Sequence, residues 1–208
     1  MCGRYVITNP VTKTKKIVKS AINTNDIENY NAHPYQELPV IKKYTNGNTL
    51  EKLKWGMIPS WSKKKDFKPL INARLETIDE KISFKQLIKQ SRCVAVADGF
   101  YEWKREEKNK TPYYFLRKDK KMMFIAAIYQ NNEFCLITEN ANENIKQIHH
   151  RQPVILYEAD VNRYLNLELS GSNFLKESKK IDLEFYEISK DVNKPTNNNI
   201  SLIQPINN

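Results

Sequence analysis

The sequence is poor in the residues that build disulfide-rich, metal-binding and membrane-spanning proteins. Its 208 residues include 3 cysteines, 3 histidines and 5 glycines. Cys2, Cys93 and Cys135 are odd in number and widely spaced, which argues against a disulfide framework and against a zinc site with paired cysteines. No run approaches the ~20 apolar residues of a membrane span, and MCGRYVITNP lacks the features of a signal peptide. We therefore expect a cytoplasmic protein (nucleoid-associated if bacterial) without a metal or a cofactor.

Acidic residues are in deficit relative to basic ones. The chain has 34 Lys and Arg against 24 Asp and Glu, for a formal net charge of +10. Such a surplus favours a polyanionic partner, most often nucleic acid. Lysine clusters such as Lys13, Lys15 and Lys16 are expected to be solvated surface, although they add a salt-sensitive attraction to phosphates.

The chain also lacks repeats and any Gly/Ser-rich or Pro-rich linker, so residues 1–208 are expected to form one domain and a monomer. Its central β-rich runs follow one another without intervening helices, which favours antiparallel pairing. The sequence predicts an α+β fold, a mainly antiparallel sheet or barrel with peripheral helices. Strands are predicted at 92–100, 111–117, 121–130, 132–138, 183–189 and within 199–205, and helices at 12–23, 79–91, 140–149 and 158–167.

A cysteine at position 2 has a specific chemical meaning. Methionine aminopeptidases accept small second residues, so Cys2 is expected to become the N-terminal residue, with an amine and a thiol on adjacent carbons. The amine can condense with an aldehyde to an imine, and the thiol can then close a thiazolidine ring. An α-amine has a pKa of about 7.7–8.0, so far more of it is neutral at physiological pH than of a lysine. Gly3 would let a substrate approach closely. The alternative is that the chain begins Met-Cys by chance.

Two later segments hold acid–base groups. Glu102 lies among aromatic residues in DGFYEWK, where a carboxyl group with a raised pKa could shuttle protons, or could simply face water. In IHHRQPVIL, His149 and His150 could act as acid or base, and Arg151 could hold a phosphate with two hydrogen bonds. A polar cap on a buried strand is the alternative there. The remaining histidine, His33, is far away in sequence, so metal binding is not expected.

Two further segments indicate contacts to DNA. WGMIPSW places Trp55 and Trp61 on either side of a turn, where they could stack on unpaired bases or pack in the core. NARLET supplies Asn72 and Arg74 in a polar segment, and Arg74 is expected to be free to bind phosphate.

In this order, MCGRY, WGMIPSW, NARLET, RCVAVADGFYEWK, IHHRQPVIL and SKDVN followed by LIQP resemble the SRAP family (SOS response-associated peptidase), the abasic-site processing proteins. The resemblance spans nearly the whole chain. It implies that mature Cys2 crosslinks to the aldehyde of an abasic site in single-stranded DNA through a Schiff base and a thiazolidine, shielding the lesion in the DNA damage response. No membrane and no metal partner are implied.

The resemblance also implies a role for each matching residue. Cys2 matches the nucleophile, Asn72 the side chain that orients Cys2 and the sugar, Glu102 the acid/base group, and His149 the residue that assists imine chemistry and ring closure. The residues expected at the DNA are Gly3, Arg4, Trp55, Pro59, Trp61, Arg74 and Arg151.

Three positions depart from the family pattern. Val96 stands where proline is usual and Gln152 where methionine is usual, and both are expected to be packing changes. His33 stands where a small residue is common, so it could alter contacts to DNA. Two other functions stay open on the sequence: a thiol peptidase that could cut peptides, including its own Met1, and a noncovalent reader of single-stranded or modified DNA.

Overall fold

The computed structural model describes residues 2–62, 64, 66–107 and 109–206. The strands of these residues are β1 (Tyr5–Thr8), β2 (Ser20–Ile22), β3 (Glu28–Ala32), β4 (Glu37–Tyr44), β5 (Gly47–Trp55), β6 (Asn72–Arg74), β7 (Arg92–Ala97), β8 (Gly99–Glu106), β9 (Asn109–Arg117), β10 (Met123–Gln130), β11 (Glu133–Asn140), β12 (Arg151–Pro153), β13 (Ile155–Leu156) and β14 (Leu183–Glu187). The α-helices are α1 (Pro10–Thr14), α2 (Leu87–Gln90), α3 (Glu143–Lys146), α4 (Val161–Leu165) and α5 (Gly171–Glu177). Short 3-10 helices span Leu75–Thr77, Glu158–Asp160, Lys190–Asn193 and Ile200–Ile203.

The strands form two sheets. One has the order β14-β9-β8-β1-β3 and is antiparallel throughout. The other has the order β12-β11-β10-β7-β4-β5-β2, and a further pairing of β5 with β11 closes five of its strands into a barrel. The predicted α+β class, with its mainly antiparallel sheet or barrel, is confirmed. Parallel pairings of β2 with β5, β5 with β11 and β6 with β11 were not expected from the sequence.

The core lies inside the barrel and between the two sheets. Strand β7 is buried along its whole length because it pairs with β10 on one side and β4 on the other. Cys93 and Cys135 are fully buried. Trp55, at the end of β5, packs against Tyr5 of the other sheet with ring centroids 5.1 Å apart. A buried aromatic side chain of this size contributes about 2–3 kcal/mol, so Trp55 helps to hold the sheets together.

The first predicted helix is wrong beyond Thr14. The structure has a helix only at Pro10–Thr14, and residues Ser20–Ile22 form β2 instead. This segment satisfies its backbone groups by pairing with the edge of β5, where Ser20 lies opposite Thr49. The apolar stripe of the segment predicted a helix, but the available sheet edge determined the structure.

The later helices are also shorter than predicted, and the one expected at 140–149 spans only Glu143–Lys146. Residues 79–91 are mainly turns, with a helix only at Leu87–Gln90. The segment predicted at 158–167 is helical from Glu158 to Leu165. The predicted last strand is a 3-10 helix, Ile200–Ile203, followed by a single bridge between Pro205 and Ile188. In the described part of the chain, no helix is both long and apolar enough to cross a membrane.

The start of the chain runs alongside β8. Tyr5 pairs with Phe100, and the backbone N–H of Tyr101 donates to the carbonyl of Arg4 at 3.0 Å. Continuing this antiparallel alignment by one residue pair places Cys2 and Gly3 beside Glu102. The topology therefore brings the second residue of the chain to a carboxyl group a hundred positions away.

Candidate active site

Cys2 lies buried where the two sheets meet. Its side chain is fully buried, and Asn72 Nδ2 donates to the Cys2 carbonyl oxygen at 2.8 Å. Asn72 begins β6 of the barrel sheet, whereas Cys2 precedes β1 of the other sheet. Asn72 Oδ1 is buried without a hydrogen-bond partner in the described residues, so it is an available acceptor for a bound hydroxyl or amine. Burial, and then the nearby Glu102 carboxylate, raise the pKa of the Cys2 thiol.

Glu102 and His149 form an acid–base pair beside Cys2. The side chain of Glu102 is only 4% exposed, and its Oε1 lies 3.8 Å from His149 Nδ1. Burial raises the pKa of Glu102 to about 7 and lowers the pKa of His149 to about 4. At neutral pH the imidazole is therefore neutral, and the carboxyl group is close to half ionised.

The beginning of β12 holds the His149 ring in place. The backbone nitrogen and oxygen of Arg151 both lie 3.1 Å from His149 Nδ1, so either tautomer of the ring finds a partner there. The His149 ring also stacks on the ring of His150, with the two centroids 4.5 Å apart. These contacts fix the ring next to Glu102.

Arg151 itself is buried and held by protein groups. Its Nη1 and Nη2 atoms bind the two carboxylate oxygens of Glu76 at 2.8 and 2.9 Å. Nη1 also donates to Asn140 Oδ1 at 2.7 Å, and Nη2 to the carbonyl of Thr138 at 2.8 Å. The two hydrogen bonds that Arg151 was expected to donate to a phosphate are thus donated to the Glu76 carboxylate. We assign Arg151 to the scaffold under His149, and a direct contact to DNA stays a prediction.

Arg4 is held at the surface of the site by Asn31 and the C-terminal segment. Arg4 Nη1 donates to Asn31 Oδ1 at 2.5 Å and to the carbonyl of Val192 at 2.7 Å. Asn31 is buried, and its Nδ2 donates to the carbonyls of Val192, Lys194 and Asn197 at 3.3, 3.1 and 2.9 Å. One amide therefore joins the C-terminal segment to the arginine beside Cys2.

Two cavities meet at Arg4, and we call the two together the Cys2 groove. The apolar cavity has a volume of about 310 Å³ and is lined by Gly3, Arg4, His33, Pro34, Tyr35, Lys68, Pro69, Ile71 and Pro195. The polar cavity has a volume of about 270 Å³ and is lined by Arg4, Glu102, Trp103, Arg105, Lys110, His149 and Asn193. Gly3, Arg4 and His33 line the apolar cavity, and their contact with DNA stays a prediction.

The tryptophans of WGMIPSW have different environments. Trp55 is fully buried, and its Nε1 donates to the carbonyl of Ile71 at 2.9 Å. The expectation that Trp55 contacts DNA is corrected accordingly, because the ring has no exposed face and packs beneath the groove. Pro59 is buried as well. Trp61 is 49% exposed and packs edge-on against Phe67, so its ring can still meet a base.

Arg74 is exposed at the end of β6. Its guanidinium makes no salt bridge or side-chain hydrogen bond with the described residues, which leaves it available to a phosphate. Val96 is fully buried in β7 opposite Phe124. Gln152 is buried and donates to Glu139 Oε1 at 3.1 Å. Both departures from the family pattern thus lie at packing positions.

Sequence reasoning missed several residues of the groove, above all Arg105 and Lys110. The register of the β8–β9 hairpin places these two cations directly opposite each other. Lys68 and Tyr35 line the apolar cavity, and Tyr35 is 52% exposed with a φ of 78°. A positive φ is unusual for an aromatic residue and is often found at functional sites. The basic run KREEKNK was the available signal for the hairpin cations.

Within the described ranges, no group of three or more His, Cys, Asp or Glu side chains is arranged to hold a metal ion. The resemblance assigns the chemistry to Cys2, Asn72, Glu102 and His149, which come from four separated segments of the chain. Asn72 binds the Cys2 carbonyl, and Glu102 and His149 lie together at the polar cavity.

Comparisons with known proteins identify the family. The abasic site processing protein YoqW of Bacillus subtilis strain 168 is 35% identical over 222 residues, covering 98% of this chain and 99% of that protein. The abasic site processing protein YoaM of the same organism is 35% identical over 193 residues, covering 86% of this chain and 85% of that protein. A crystal structure of a protein from Bacteroides thetaiotaomicron shares the fold, with a TM-score of 0.83 at 24% identity, covering 98% of this chain and 99% of that one. Residues 1–195 match the family described as SOS response associated peptidase, and the chain belongs to this SRAP family.

Proposed function

We propose that this protein processes abasic sites by linking the amine and thiol of Cys2, exposed when Met1 is removed, to the aldehyde of an abasic site in single-stranded DNA. It acts as a monomer on cytoplasmic DNA. The observation that carries the proposal is that Asn72 binds the Cys2 carbonyl while Glu102, which acts electrostatically on the Cys2 thiol, lies beside His149 at a cavity that Arg4, Arg105 and Lys110 also line. The names of the relatives support the lesion class, since both are abasic site processing proteins.

The chemistry needs no external oxidant or reductant. The neutral Cys2 amine adds to the aldehyde carbon to give a carbinolamine, which loses water to form an imine. The Cys2 sulfur then adds to the imine carbon, and the thiol proton moves to the nitrogen, which closes the thiazolidine ring. Ring closure shields the lesion because an open imine favours β-elimination and strand scission.

Glu102 and His149 supply the proton transfers. Because the pKa of Glu102 is about 7, the group can accept a proton from the attacking amine and return one to the departing water at the same pH. The neutral His149 ring accepts the thiol proton during ring closure. Asn72 holds the Cys2 carbonyl and offers Oδ1 to a hydroxyl of the opened sugar.

The groove is built for a polyanion. Arg4 lies at its centre, and the exposed cations Lys68, Arg105 and Lys110 line its two cavities. Arg105 and Lys110 are directly opposed across two strands, an arrangement that repels in the absence of an anion. A phosphate between them relieves this repulsion, which favours a nucleic-acid backbone over a neutral ligand.

The test is a denaturing gel of Met1-processed protein with single strands that do or do not contain one abasic site. Wild type is expected to give a denaturation-resistant band only with the abasic strand. Cys2→Ala keeps an N-terminal amine but has no thiol, so its imine should appear only after trapping with borohydride. Cys2→Ser serves as the size-matched control and should behave like Cys2→Ala.

Two results would overturn the proposal. One is a stable adduct from Cys2→Ala without borohydride. The other is no adduct from wild type whose free N-terminal cysteine has been confirmed by mass spectrometry. Salt-sensitive binding without any adduct would then indicate a noncovalent reader, and loss of Met1 by the isolated precursor would indicate peptidase chemistry.

A further inference from the structure

A second and larger cavity lies away from Cys2. Its volume is about 1010 Å³, and it is bounded by α1 and the turn after it, by the β9–β10 connection, and by the beginning of α4. Six cationic side chains line it, against the two carboxylates of Asp98 and Glu158. The cations are Lys13, Lys15, Lys16, Arg117, Lys120 and Lys121. We call this cavity the lysine groove.

Half of these cations are already paired. Lys13 binds Asp98 at 2.5 Å, Arg117 binds Asp119 at 2.6 Å, and Lys120 pairs with Glu184. The other three, Lys15, Lys16 and Lys121, are exposed and have no salt bridge with any described residue. Three cations without a salt bridge to a described residue, from two distant chain segments, therefore face one cavity.

The floor of the lysine groove is apolar. Met122 and Phe124 at the start of β10 are almost fully buried, and Ile17 and Tyr157 are partly exposed beside them. An apolar floor with a cationic rim fits a polynucleotide, whose bases and sugars pack on the floor while its phosphates meet the rim.

The lysine groove and the Cys2 groove lie at opposite ends of the paired strands β8 and β9. Asp98 lines the lysine groove, and Glu102 lines the polar cavity next to Cys2. Four residues of extended chain span ~13 Å. At ~3.4 Å per nucleotide along a strand, this is about four nucleotides.

We propose that the lysine groove is a second, sequence-independent binding site for the DNA strand that flanks the lesion. The inference rests on the proposed function, because it takes the strand held at Cys2 to continue to this site. It adds that affinity depends on strand length, through phosphate contacts at Lys15, Lys16 and Lys121.

The test is equilibrium binding of undamaged single strands of about 6 and about 30 nucleotides, the first near the lower end and the second beyond the upper end of ordinary single-strand site sizes of about 4–16 nucleotides. The groove variant carries Lys15→Gln, Lys16→Gln and Lys121→Gln. The matched control carries Lys43→Gln, Lys85→Gln and Lys89→Gln, three exposed lysines outside both grooves. We expect the groove variant alone to bind the long strand about tenfold more weakly or worse, with a salt slope shallower by about 2.

Binding of the short strand should weaken much less in the groove variant, since about six nucleotides cover the ~13 Å between the grooves but leave few phosphates at the lysine groove. Equal losses in both variants, or equal losses for both strands, would overturn the inference. The inference would also be overturned if wild type bound polyglutamate as tightly as the long strand, with the same dependence on Lys15, Lys16 and Lys121. Crosslinking of a short abasic strand reports on the proposed function separately, because the groove variant should retain it.

Discussion

Burial shifts the pKa values of Glu102 and His149 in opposite directions, although Glu102 Oε1 and His149 Nδ1 lie only 3.8 Å apart. It raises the pKa of Glu102 to about 7 because the carboxylate is the charged form, and lowers that of His149 to about 4 because the imidazolium is the charged form. Pairs of groups whose pKa values are shifted by their surroundings are characteristic of acid–base catalysis. The same shift makes the stability of the protein depend on pH.

Glu102→Gln is expected to stabilise the protein at high pH. The pKa of Glu102 is about 7 in the folded state against an ordinary 4.5, so wild type loses stability as pH rises from about 4.5 to above 7. Glutamine stays neutral, and the stability difference between variant and wild type should therefore grow by about 3 kcal/mol over this range. Urea unfolding at pH 5 and pH 8 measures it. The control Glu143→Gln, at a side chain that is 88% exposed, should show no such growth. A difference that is constant with pH would contradict the raised pKa.

Arg151→Gln distinguishes a scaffold role from a phosphate contact. Removing one partner of a buried ion pair costs about 3 kcal/mol, so the melting temperature should fall clearly. The salt dependence of DNA binding should not change, because the guanidinium is bound to Glu76. Arg74→Gln is the matched comparison, since that arginine is exposed. It should leave stability nearly unchanged and make the salt slope shallower by about 0.7. The reverse pattern would place Arg151 at the DNA.

At the scale of elements, the C-terminal segment completes the groove although it supplies none of the four proposed catalytic side chains. Its 3-10 helix Lys190–Asn193 gives the Val192 carbonyl that binds Arg4. Asn193 lines the polar cavity and Pro195 the apolar one. Asn31 of β3 helps to hold this segment, since its amide reaches three of the segment's carbonyls.

Asn31→Ala should therefore affect both stability and DNA affinity. The two N–H donors of Asn31, shared among three carbonyls, and its Oδ1, which accepts from Arg4, predict a loss of about 2–3 kcal/mol of unfolding free energy at about 1 kcal/mol for each hydrogen bond. Because Arg4 loses its partner too, Asn31→Ala and Arg4→Gln should be non-additive in DNA-binding free energy by at least about 0.5 kcal/mol. A double-mutant cycle in a binding titration measures this coupling. Asn173→Ala, at an exposed position of α5, is the control. Additive effects would show that Asn31 acts on stability alone.

At the scale of the whole molecule, the candidate active site forms where the two sheets pack against each other. Cys2 and Glu102 belong to the sheet built around β1 and β8, whereas Asn72 and His149 belong to strands of the barrel sheet or their ends. Trp55 packs between the sheets under this junction. That residues 1–208 form one domain stays a prediction.

The net charge of +10 predicts a steep salt dependence of DNA binding. Four cations line the Cys2 groove, namely Arg4, Lys68, Arg105 and Lys110. Four phosphate contacts correspond to a slope of about −3 for a short single strand, or about a 50-fold loss of affinity between 50 and 200 mM salt. Fluorescence anisotropy with a strand of about 6 nucleotides measures it. A slope near zero would mean that the groove does not hold the backbone.

Local sequence patterns predicted part of this protein well. The alternation and β-rich composition of β9, β10 and β11 depend on residues that are neighbours in the chain, so these strands could be located without the structure. The helices were overestimated, because a short apolar stripe suits a turn or an edge strand equally well. The segment that became β2 shows this, since only the presence of the β5 edge decided its conformation.

The sequence by itself determined the surplus of positive charge, the thiol next to the chain start, and the set of residues that could do the chemistry, because these are properties of residue identity and order. Only the tertiary structure decided which of them act together. Closure of the barrel by β5 and β11 pairs residues about eighty positions apart, and no local pattern encodes such a contact. The same packing buried Trp55 and paired Arg151 with Glu76. Burial and pairing depend on what the rest of the chain places around a side chain, and this is why the roles of these residues emerged only with the fold.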